Sequence, residues 1–185
     1  MIEYKARSVA RHWIENIVKQ GDTVVDATMG NGHDTLMLAH LVGKEGTVFA
    51  FDVQNGALEA THKRLAQEEI SNVRLILCGH ERMDSFVHVP VSCVVFNLGW
   101  LPSGDKNITT MAATTIEALN KALVLLKKGG IISICIYPGH PEGKREKEEI
   151  LKWASALSDK EFAVMHTYFA NQGNDPPENV IVGKL

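Results

Sequence analysis

The chain has 185 residues, 45% of them hydrophobic, and its 19 basic and 22 acidic residues give a net charge of −3. This size and composition predict one globular domain over residues 1–185, and the slight acidic balance argues against a broad surface that coats nucleic acid. Cys78, Cys93 and Cys135 lack the short spacings of zinc sites and are predicted to be reduced core residues. A charged N-terminus and the absence of an apolar run of about 18 residues predict a cytoplasmic protein with no membrane partner.

The first predicted element is a helix within residues 1–20 that covers one face of a sheet. Its apolar residues recur at three- and four-residue steps between Ala6 and Val18, which is the pattern of one buried helix face. The other face is basic and forms either a solvated surface or a contact with phosphates. Its basic residues are Lys5, Arg7, Arg11 and Lys19.

After Gly21 the chain alternates between short β-rich runs and helical stretches. The predicted strands are 23–27, 47–52, 73–77, 91–97 and 131–137, and the predicted helices are 34–42, 57–69, 109–127 and 144–157. This alternation requires crossover connections, which give a parallel sheet covered on both faces. Two last strand-like runs, 162–170 and 179–184, have no helix between them and are predicted to form an antiparallel pair.

A glycine-containing segment, VVDATMGNGHDT, spans the first predicted strand-to-helix turn. Gly30 and Gly32 lie in that turn, and Asp52 ends the next strand 22 positions after Gly30. In open parallel sheets a glycine turn admits a ligand, and an acidic residue at the next strand end takes ribose hydroxyls. The segment therefore predicts a nucleoside-containing cofactor, with a merely structural turn as the alternative.

The type of cofactor is indicated by Thr35 and Asp26. Thr35 stands where a dinucleotide fingerprint has its third glycine, which disfavours a pyrophosphate. Asp26 ends the first strand and suits a cationic ligand better than a diphosphate. Both residues favour S-adenosylmethionine.

Six separated segments carry a family resemblance: VVDATMGNGHDT, FAFDVQ, LCGHERM, FNLGWLPSGDK, IYPGHPEG and NQGNDPPE. In order and along nearly the whole chain, they resemble small class I S-adenosylmethionine-dependent methyltransferases. Members of that family were once labelled rRNA methylases and are now associated with methylation of 5-aminomethyl-2-thiouridine at the tRNA wobble position. The resemblance implies a Rossmann-like α/β fold, a seven-stranded, mostly parallel sheet with an antiparallel last strand, and helices on both faces.

The resemblance also implies a set of cofactor contacts. Asp26 and the two glycines would line the methionine end, Asp52 would bind the ribose, and His80 with Glu81 would contact the adenine amino group. Glu81 could alternatively cap the following segment. The full set predicted to bind S-adenosylmethionine is Asp26, Thr28, Gly30, Asn31, Gly32, Asp52, Gln54, His80 and Glu81.

The acceptor side is predicted from the segments after the fourth and fifth strands. Asn97, Leu98, Gly99 and Trp100 are similar to an Asn/Asp-Pro-Pro-Tyr/Phe pattern that orients amines. Both prolines are replaced, which puts the rigidity of the loop in doubt. Trp100 is either a stacking platform or a core tryptophan. Tyr137 and His140 face the same crevice, where His140 either relays a proton or only completes a turn.

Further acceptor contacts are expected in the loop after the fourth strand and in the loop of the final hairpin. Both could equally be ordinary surface loops. The predicted contact residues are Asp105, Lys106, Asn171, Asp175 and Pro176. The implied partner is the tRNA anticodon loop, which is single-stranded and needs few basic contacts. The histidines form no ligand-like cluster, so no metal site is predicted. The helices that carry Trp13 and Trp153 either pack on the sheet or form a homodimer face.

Three alternative functions stay open at the level of the sequence. A ribosomal RNA base or a small amine could be the methyl acceptor. The chain could instead be a nucleotide-binding module without catalysis. A nicotinamide-dependent oxidoreductase is the third alternative, and Thr35 together with the Asn97 loop weighs against it.

Overall fold

The computed structural model describes residues 5–102, 104–105 and 107–185. The helices are α1 (Ala6–Ile17), α2 (His33–Val42), α3 (Asn55–Gln67), α4 (Ala112–Leu125) and α5 (Pro141–Ser155), and a 3₁₀-helix spans His80–Ser85. The strands are β1 (Thr23–Asp26), β2 (Thr47–Asp52), β3 (Val73–Leu77), β4 (Val91–Asn97), β5 (Leu126–Ile136), β6 (Phe162–Thr167) and β7 (Glu178–Lys184).

The strands form one seven-stranded sheet in the order β3-β2-β1-β4-β5-β7-β6. Neighbours from β3 to β5 are parallel, whereas β7 is antiparallel to both β5 and β6. The predicted α/β fold and the closing antiparallel pair are therefore confirmed. The carboxyl ends of β1 to β5 meet at one edge, which is where ligands bind in open parallel sheets.

Several elements differ in their bounds from the sequence prediction: α3, α4 and α5 each begin two or three residues away from the predicted start. β5 begins at Leu126 and not at 131, because Gly129 and Gly130 form an irregularity inside the strand and do not end a helix. Gly130 permits this, since a Cβ atom there would lie 2.9 Å from the carbonyl oxygen of Ser92. The connection from β3 to β4 was not predicted to be helical, and it contains only the 3₁₀-helix.

Alternating strand residues build a core on each face of the sheet. Val24 of β1 and Ile131 of β5 pack with α1 and α2, whereas their neighbours Val25 and Ile132 pack with α4, α5 and the 3₁₀-helix. This period of two is the expected geometry of a strand with both faces covered. Trp153 packs against the second of these cores, while Trp13 is 37% exposed.

Helix α1 is anchored to the sheet at its first residue. The Asn179 side-chain amide donates to the carbonyl of Ala6, and the Cys135 thiol donates to Asn179 Oδ1 at 2.8 Å. Burial raises the pKa of Cys135 to about 12, so the thiol keeps its proton. Cys93 is also a buried free thiol, whereas Cys78 is only partly buried, unlike the prediction for it. Within the described part of the chain, no helix combines the length and apolarity that a membrane crossing requires.

Candidate active site

A cavity of about 720 Å³ opens at the carboxyl edge of the sheet. Its walls come from the segments after β1, β2, β3, β4 and β5, and its volume lies within the range of small-molecule sites. Most of the predicted cofactor and acceptor residues line it: Thr28, Gly30, Asn31, Asp52, Gln54, His80, Glu81, Asn97, Leu98, Trp100, Tyr137 and His140. Asp26 and Gly32 lie outside this lining.

The two glycines of the first turn have different physical roles. Both have a positive φ, +49° for Gly30 and +76° for Gly32. Gly30 faces the cavity, and its carbonyl accepts a hydrogen bond of 2.9 Å from the Thr61 hydroxyl. At Gly32 a Cβ atom would lie 2.7 Å from Thr61 Oγ1, so this glycine allows the turn to pack on α3. Close approach to α3, and not to a ligand, explains Gly32.

Asp52 is held by main-chain atoms at the end of β2. Its Oδ2 accepts from the Gly30 N–H at 3.0 Å, and its Oδ1 accepts from the Gln54 N–H at 2.9 Å. A carboxylate has about four lone-pair sites, so acceptor capacity remains for a ligand. The carboxylate is thereby fixed in place in the cavity wall.

Asp26 lies beneath the cavity, in the protein interior. It is 1% exposed, and its carboxylate accepts from the Thr35 hydroxyl at 2.6 Å and from the Thr28 N–H at 3.2 Å. Burial, and next the nearby Asp34, raises the pKa of Asp26 to about 7 against the opposing effect of these hydrogen bonds. Thr35 therefore occupies the third-glycine position as the partner of a buried carboxyl group.

His80 presents a hydrogen-bond acceptor to the cavity. A carbonyl can only accept, so the 3.1 Å contact between His80 Nδ1 and the Ala27 oxygen places the proton on Nδ1 and leaves Nε2 bare. Burial lowers the pKa of His80, which keeps the ring neutral. Glu81 folds over Gly79, and no side-chain capping bond is present at the start of the 3₁₀-helix.

Asn97 is fixed at the end of β4 by two hydrogen bonds. Its N–H donates to Thr28 Oγ1 at 2.7 Å, and its side-chain Nδ2 donates to Asp34 Oδ2 at 2.7 Å. Asp34 also accepts two bonds from Arg7 Nη2, at 2.9 and 3.1 Å. Because Nδ2 is committed to Asp34, Asn97 Oδ1 is left as an acceptor, and the described residues provide it with no donor.

The loop after Asn97 is fixed although it lacks the two prolines. The Gly99 N–H donates to Thr110 Oγ1 at 2.8 Å, and the Thr110 N–H donates back to the Gly99 carbonyl at 3.1 Å. Thr110 Oγ1 then donates to Glu146 Oε2 at 2.7 Å. Trp100 also forms a β-bridge with Thr109. Hydrogen bonds thus supply the rigidity that the prolines would have given.

Glu146 is the buried end of this chain of hydrogen bonds. It lies on α5, is 1% exposed, and also accepts from the Thr115 hydroxyl at 2.7 Å. Burial raises the pKa of Glu146, whereas the hydroxyls of Thr115 and Thr110 act in the opposite direction. Glu146 does not line the cavity, but its side chain reaches the loop through Thr110.

Trp100 and His140 lie together at the acceptor end of the cavity. Trp100 is 38% exposed, so it is not a core tryptophan, and its ring centre lies 4.4 Å from that of His140. His140 Nδ1 accepts from the Gly143 N–H at 3.1 Å and so caps α5. Protonation at Nδ1 would break this cap, which favours the turn interpretation of His140 over a proton relay. Burial raises the pKa of Tyr137 to about 12.

Four of the five predicted outer substrate contacts lie within the described residues, and these four do not line the cavity. Asp105 accepts from the Asn107 N–H at 2.8 Å in an exposed loop, and Lys106 lies outside the described residues. Asn171, Asp175 and Pro176 lie in the β6–β7 hairpin loop, where Asp175 pairs with Lys144 at 2.9 Å. Their roles in substrate binding stay predictions.

Arg7, Asp34, Thr110 and Glu146 are among the polar groups that the sequence interpretation missed as site residues. Arg7 was noted only as part of a basic helix face, and Asp34 follows the glycine turn inside the recognised segment. Glu146 is one of several acidic residues in a charged helix, so no local signal marks it. In residues 5–102, 104–105 and 107–185, no group of three His, Cys, Asp or Glu residues could hold a metal ion.

Comparison with known protein families shows the family to which this chain belongs. Residues 48–183 match the model of the family described as "Putative rRNA methylase". The chain belongs to this family. A crystal structure with the same description, from Clostridium thermocellum, is 46% identical, covers 100% of both chains and superposes with a TM-score of 0.98.

Two other relatives add information on the family. A Streptococcus mutans protein described as "a putative methyltransferase", in complex with SAH, is 37% identical over 100% of both chains with a TM-score of 0.91. A chloroplastic tRNA (mnm(5)s(2)U34)-methyltransferase from Arabidopsis thaliana is 42% identical over 164 residues, which are 83% of this chain and 60% of that relative. The chain thus spans 60% of that relative's length. The fold and family are those of S-adenosylmethionine-dependent methyltransferases, and S-adenosylmethionine is the cofactor.

Proposed function

We propose that this chain methylates the primary amine of 5-aminomethyl-2-thiouridine at the wobble position of tRNA, which gives 5-methylaminomethyl-2-thiouridine. The observation that carries the proposal is the orientation of the Asn97 side chain. Its Nδ2 donates a hydrogen bond of 2.7 Å to Asp34, which leaves its Oδ1 as an acceptor. An acceptor oxygen at the end of β4 suits an amine, which must present its hydrogens to the protein and its lone pair to the methyl carbon.

The residues at the other end of the cavity fit S-adenosylmethionine. Asp52 is held by two main-chain N–H groups and retains acceptor capacity for the ribose hydroxyls. His80 Nε2 is a bare acceptor suited to the adenine amino group. Gly30 has no side chain to obstruct the methionine portion. When bound, the cofactor supplies a methyl carbon activated by a positively charged sulfur.

The protein's part in the reaction is alignment in a sheltered cavity. Asn97 Oδ1 and the Leu98 carbonyl accept the two amine hydrogens, so the nitrogen lone pair points toward the methyl carbon. The new N–C bond forms as the C–S bond breaks, the bonding electron pair stays on sulfur, and the nitrogen then releases one proton to solvent. The amine must be neutral for its lone pair to react.

Trp100 and the relative's name support a nucleoside acceptor. The Trp100 ring is 38% exposed at the cavity mouth, and stacking of a base on an aromatic ring contributes roughly 1–3 kcal/mol. The wobble base lies in a single-stranded loop, which proteins recognise by stacking and by base-edge contacts. The 42%-identical relative is named as a methyltransferase of this nucleoside. Together these observations favour tRNA over a small free amine.

The test is nucleoside mass spectrometry after incubation of the purified protein with S-adenosylmethionine and tRNA that carries 5-aminomethyl-2-thiouridine. We expect one added methyl group per wobble nucleoside. Asn97→Ala should lower the rate at least about 100-fold, as loss of a transition-state contact does, while calorimetry still shows cofactor binding. Asn120→Ala is the matched control, because Asn120 lies on α4, outside the cavity lining, and its side chain accepts from the Trp153 indole N–H.

Parallel reactions with ribosomal RNA and with small primary amines separate the alternative acceptors. Methylation of either one, with the tRNA unchanged, would replace the acceptor and leave the cofactor assignment intact. Cofactor binding without turnover on any acceptor would instead favour a nucleotide-binding module without catalysis.

A further inference from the structure

The acceptor end contains one ion pair that the methyl-transfer chemistry described above does not use. Arg7 of α1 donates two hydrogen bonds, of 2.9 and 3.1 Å, to Asp34 of α2, and both residues line the cavity. Asp34 in turn holds the Asn97 amide at 2.7 Å. Arg7 precedes residues 48–183, the part that matches the family model. Helix α1 thus adds a cation to the cavity wall next to the proposed amine site.

We propose that Arg7 is a positioning residue that keeps the acceptor amine unprotonated by neutralising Asp34 while Asp34 orients Asn97. This inference rests on the proposed amine acceptor. It assigns to α1 a role in turnover, in addition to covering the sheet.

The reason is the sign of the charges around the amine. A carboxylate near a bound amine favours the ammonium form, and an ammonium ion has no lone pair to attack the methyl carbon. Asp34 is nevertheless needed, since it fixes which way the Asn97 amide points. A guanidinium bonded to Asp34 cancels its charge without removing this hydrogen-bond acceptor, and guanidinium stays charged at every physiological pH.

Other charged groups lie near this pair: Asp52 and Glu81 line the cavity, and the guanidinium of Arg64 contacts His33 Nε2 at 3.1 Å. Burial raises the pKa of Cys135 and of Tyr137 to about 12, so both are neutral at physiological pH. Burial lowers the pKa of His33, which favours its neutral form. Asp26, with a pKa of about 7, lies beneath Asp34 and bonds Thr35. The charged and titratable groups that face the pair or the amine site from neighbouring elements are Asp26, His33, Asp52, Arg64, Glu81, Cys135, Tyr137 and His140.

The position of Arg7 is fixed by its neighbour in the helix. The carbonyl of Ala6 accepts from Asn179 in β7, so the start of α1 cannot slide along the sheet without losing a buried hydrogen bond. Asp34 counteracts the cost of burying Arg7, and on balance the pKa of Arg7 is raised. The Arg7 side chain is still 51% exposed, so solvent screens part of its effect.

The experiment measures the pKa of the bound amine directly. An anticodon stem-loop that carries 5-aminomethyl-2-thiouridine with a ¹⁵N-labelled amine is bound to the full-length protein with S-adenosylhomocysteine, and the ¹⁵N shift is followed against pH. In Arg7→Gln the amine pKa should rise by about one unit, because the carboxylate of Asp34 loses its cation. Glutamine keeps a hydrogen-bond donor for Asp34, so the substitution removes mainly the charge.

Turnover gives the second readout. The acidic limb of the kcat profile reports groups of the enzyme–substrate complex, so in Arg7→Gln it should move to higher pH by the same amount. The rate loss should be largest at low pH and should disappear at high pH. In the double variant Arg7→Gln/Asp34→Asn, the limb should return toward that of the wild type.

Arg11→Gln is the matched control, since Arg11 lies one turn further along α1 and pairs with Glu15 at 2.7 Å. It should leave both the amine pKa and the limb unchanged. An unchanged amine pKa in Arg7→Gln, together with wild-type turnover, would overturn the inference and leave the proposed function standing. A wild-type protein that binds the stem-loop but never methylates it would overturn both.

Discussion

At the cofactor end of the cavity, polar groups are held by main-chain atoms, whereas at the acceptor end side chains are held by side chains from distant elements. Within the described residues, Asp52 accepts from the N–H groups of Gly30 and Gln54 alone. Asn97, in contrast, depends on the Asp34 carboxylate, and the loop that follows it depends on Thr110 and the buried Glu146.

Because the two ends are held differently, substitutions at each end should have different effects. The strand-to-helix turns set the main-chain geometry, so the cofactor end is rigid once the sheet has folded. Substitutions there should change stability and cofactor affinity. The acceptor end is assembled from side chains, so a single hydroxyl or carboxylate can be removed without unfolding the sheet. Changes there should act on kcat.

The first prediction concerns the buried Asp26 beneath the cofactor end and has the largest expected effect, a change in stability with pH. Its pKa is about 7 in the folded protein against an ordinary value of 3.8, so folding favours the protonated carboxyl group. The stability from this preference is fully present below about pH 4 and is lost as pH rises through 7. Asparagine cannot ionise. The free energy of unfolding of Asp26→Asn, relative to the wild type, should therefore increase by up to about 4 kcal/mol from pH 4 to pH 8.

Urea denaturation at several pH values measures this change. Asp22→Asn is the control, because hydrogen bonds lower the pKa of Asp22 against the effect of its burial, and its relative stability should change in the opposite direction. A difference between Asp26→Asn and wild type that stays constant with pH would contradict the buried carboxyl group.

The second effect tests whether the glycine turn is built for packing. Gly32→Ala should destabilise the protein by about 2–3 kcal/mol, from left-handed backbone strain and from the contact of a Cβ with Thr61 Oγ1 at 2.7 Å. Gly129→Ala is a matched control, because Gly129 has a φ of +75° and no atom within 4 Å of its Cβ position. Thermal or urea unfolding should separate the two variants, and equal losses would show that backbone strain alone requires glycine.

Local sequence signals predicted some strands correctly and missed one strand start. The strands 47–52, 73–77 and 91–97 were predicted with the bounds observed, because short β-rich runs end at clear turn signals. The start of β5 was missed, since Gly129 and Gly130 have the composition of a helix end. Only the tertiary pairing of β5 with β4, which shifts register between Val91 and Cys93, reveals an extended strand there.

For the site, the cofactor end was predictable and the acceptor network was not. Gly30 and Asp52 are joined across one strand–helix–strand unit, whose spacing is a known signal. Asp34 lies 63 positions from Asn97, and Glu146 lies 36 positions from Thr110. No periodicity links residues at such separations. Their contacts follow from the order of strands in the sheet, which the sequence indicates only after the fold is known.

The third prediction tests the cofactor end directly. Asp52→Ala should weaken S-adenosylmethionine binding by about 10- to 100-fold, because hydrogen bonds to a charged group contribute about 1.5–3 kcal/mol. Calorimetry measures the Kd. Asp52→Asn, which keeps one acceptor oxygen, should lose less. Asp22→Ala also removes a carboxylate that accepts a main-chain N–H, that of Lys19, but it should leave the Kd unchanged. A normal Kd in Asp52→Ala would remove Asp52 from the cofactor site.

The fourth prediction concerns the acceptor loop and has the smallest expected effect on the rate. It compares two hydroxyl groups that donate to the same carboxylate, that of Glu146. Thr110 and Thr115 each donate to Glu146 at 2.7 Å, but only Thr110 also accepts from the Gly99 N–H. Thr110→Val should therefore loosen the loop that carries Leu98 and lower kcat about tenfold, which corresponds to about 1.4 kcal/mol, with the cofactor Kd unchanged. Thr115→Val removes an equivalent bond to Glu146 but none to the loop.

Both valine variants should lose stability, by about 1–2 kcal/mol, since each leaves Glu146 with one donor fewer. Thr110→Val should lose slightly more, because the Gly99 N–H also loses its acceptor. Steady-state kinetics beside urea unfolding separates the two roles of the carboxylate. If Thr115→Val lowers kcat as much as Thr110→Val does, Glu146 acts through the general stability of α4 and α5. If only Thr110→Val lowers kcat, the bonds from Glu146 through Thr110 to Gly99 hold the acceptor loop in its working position.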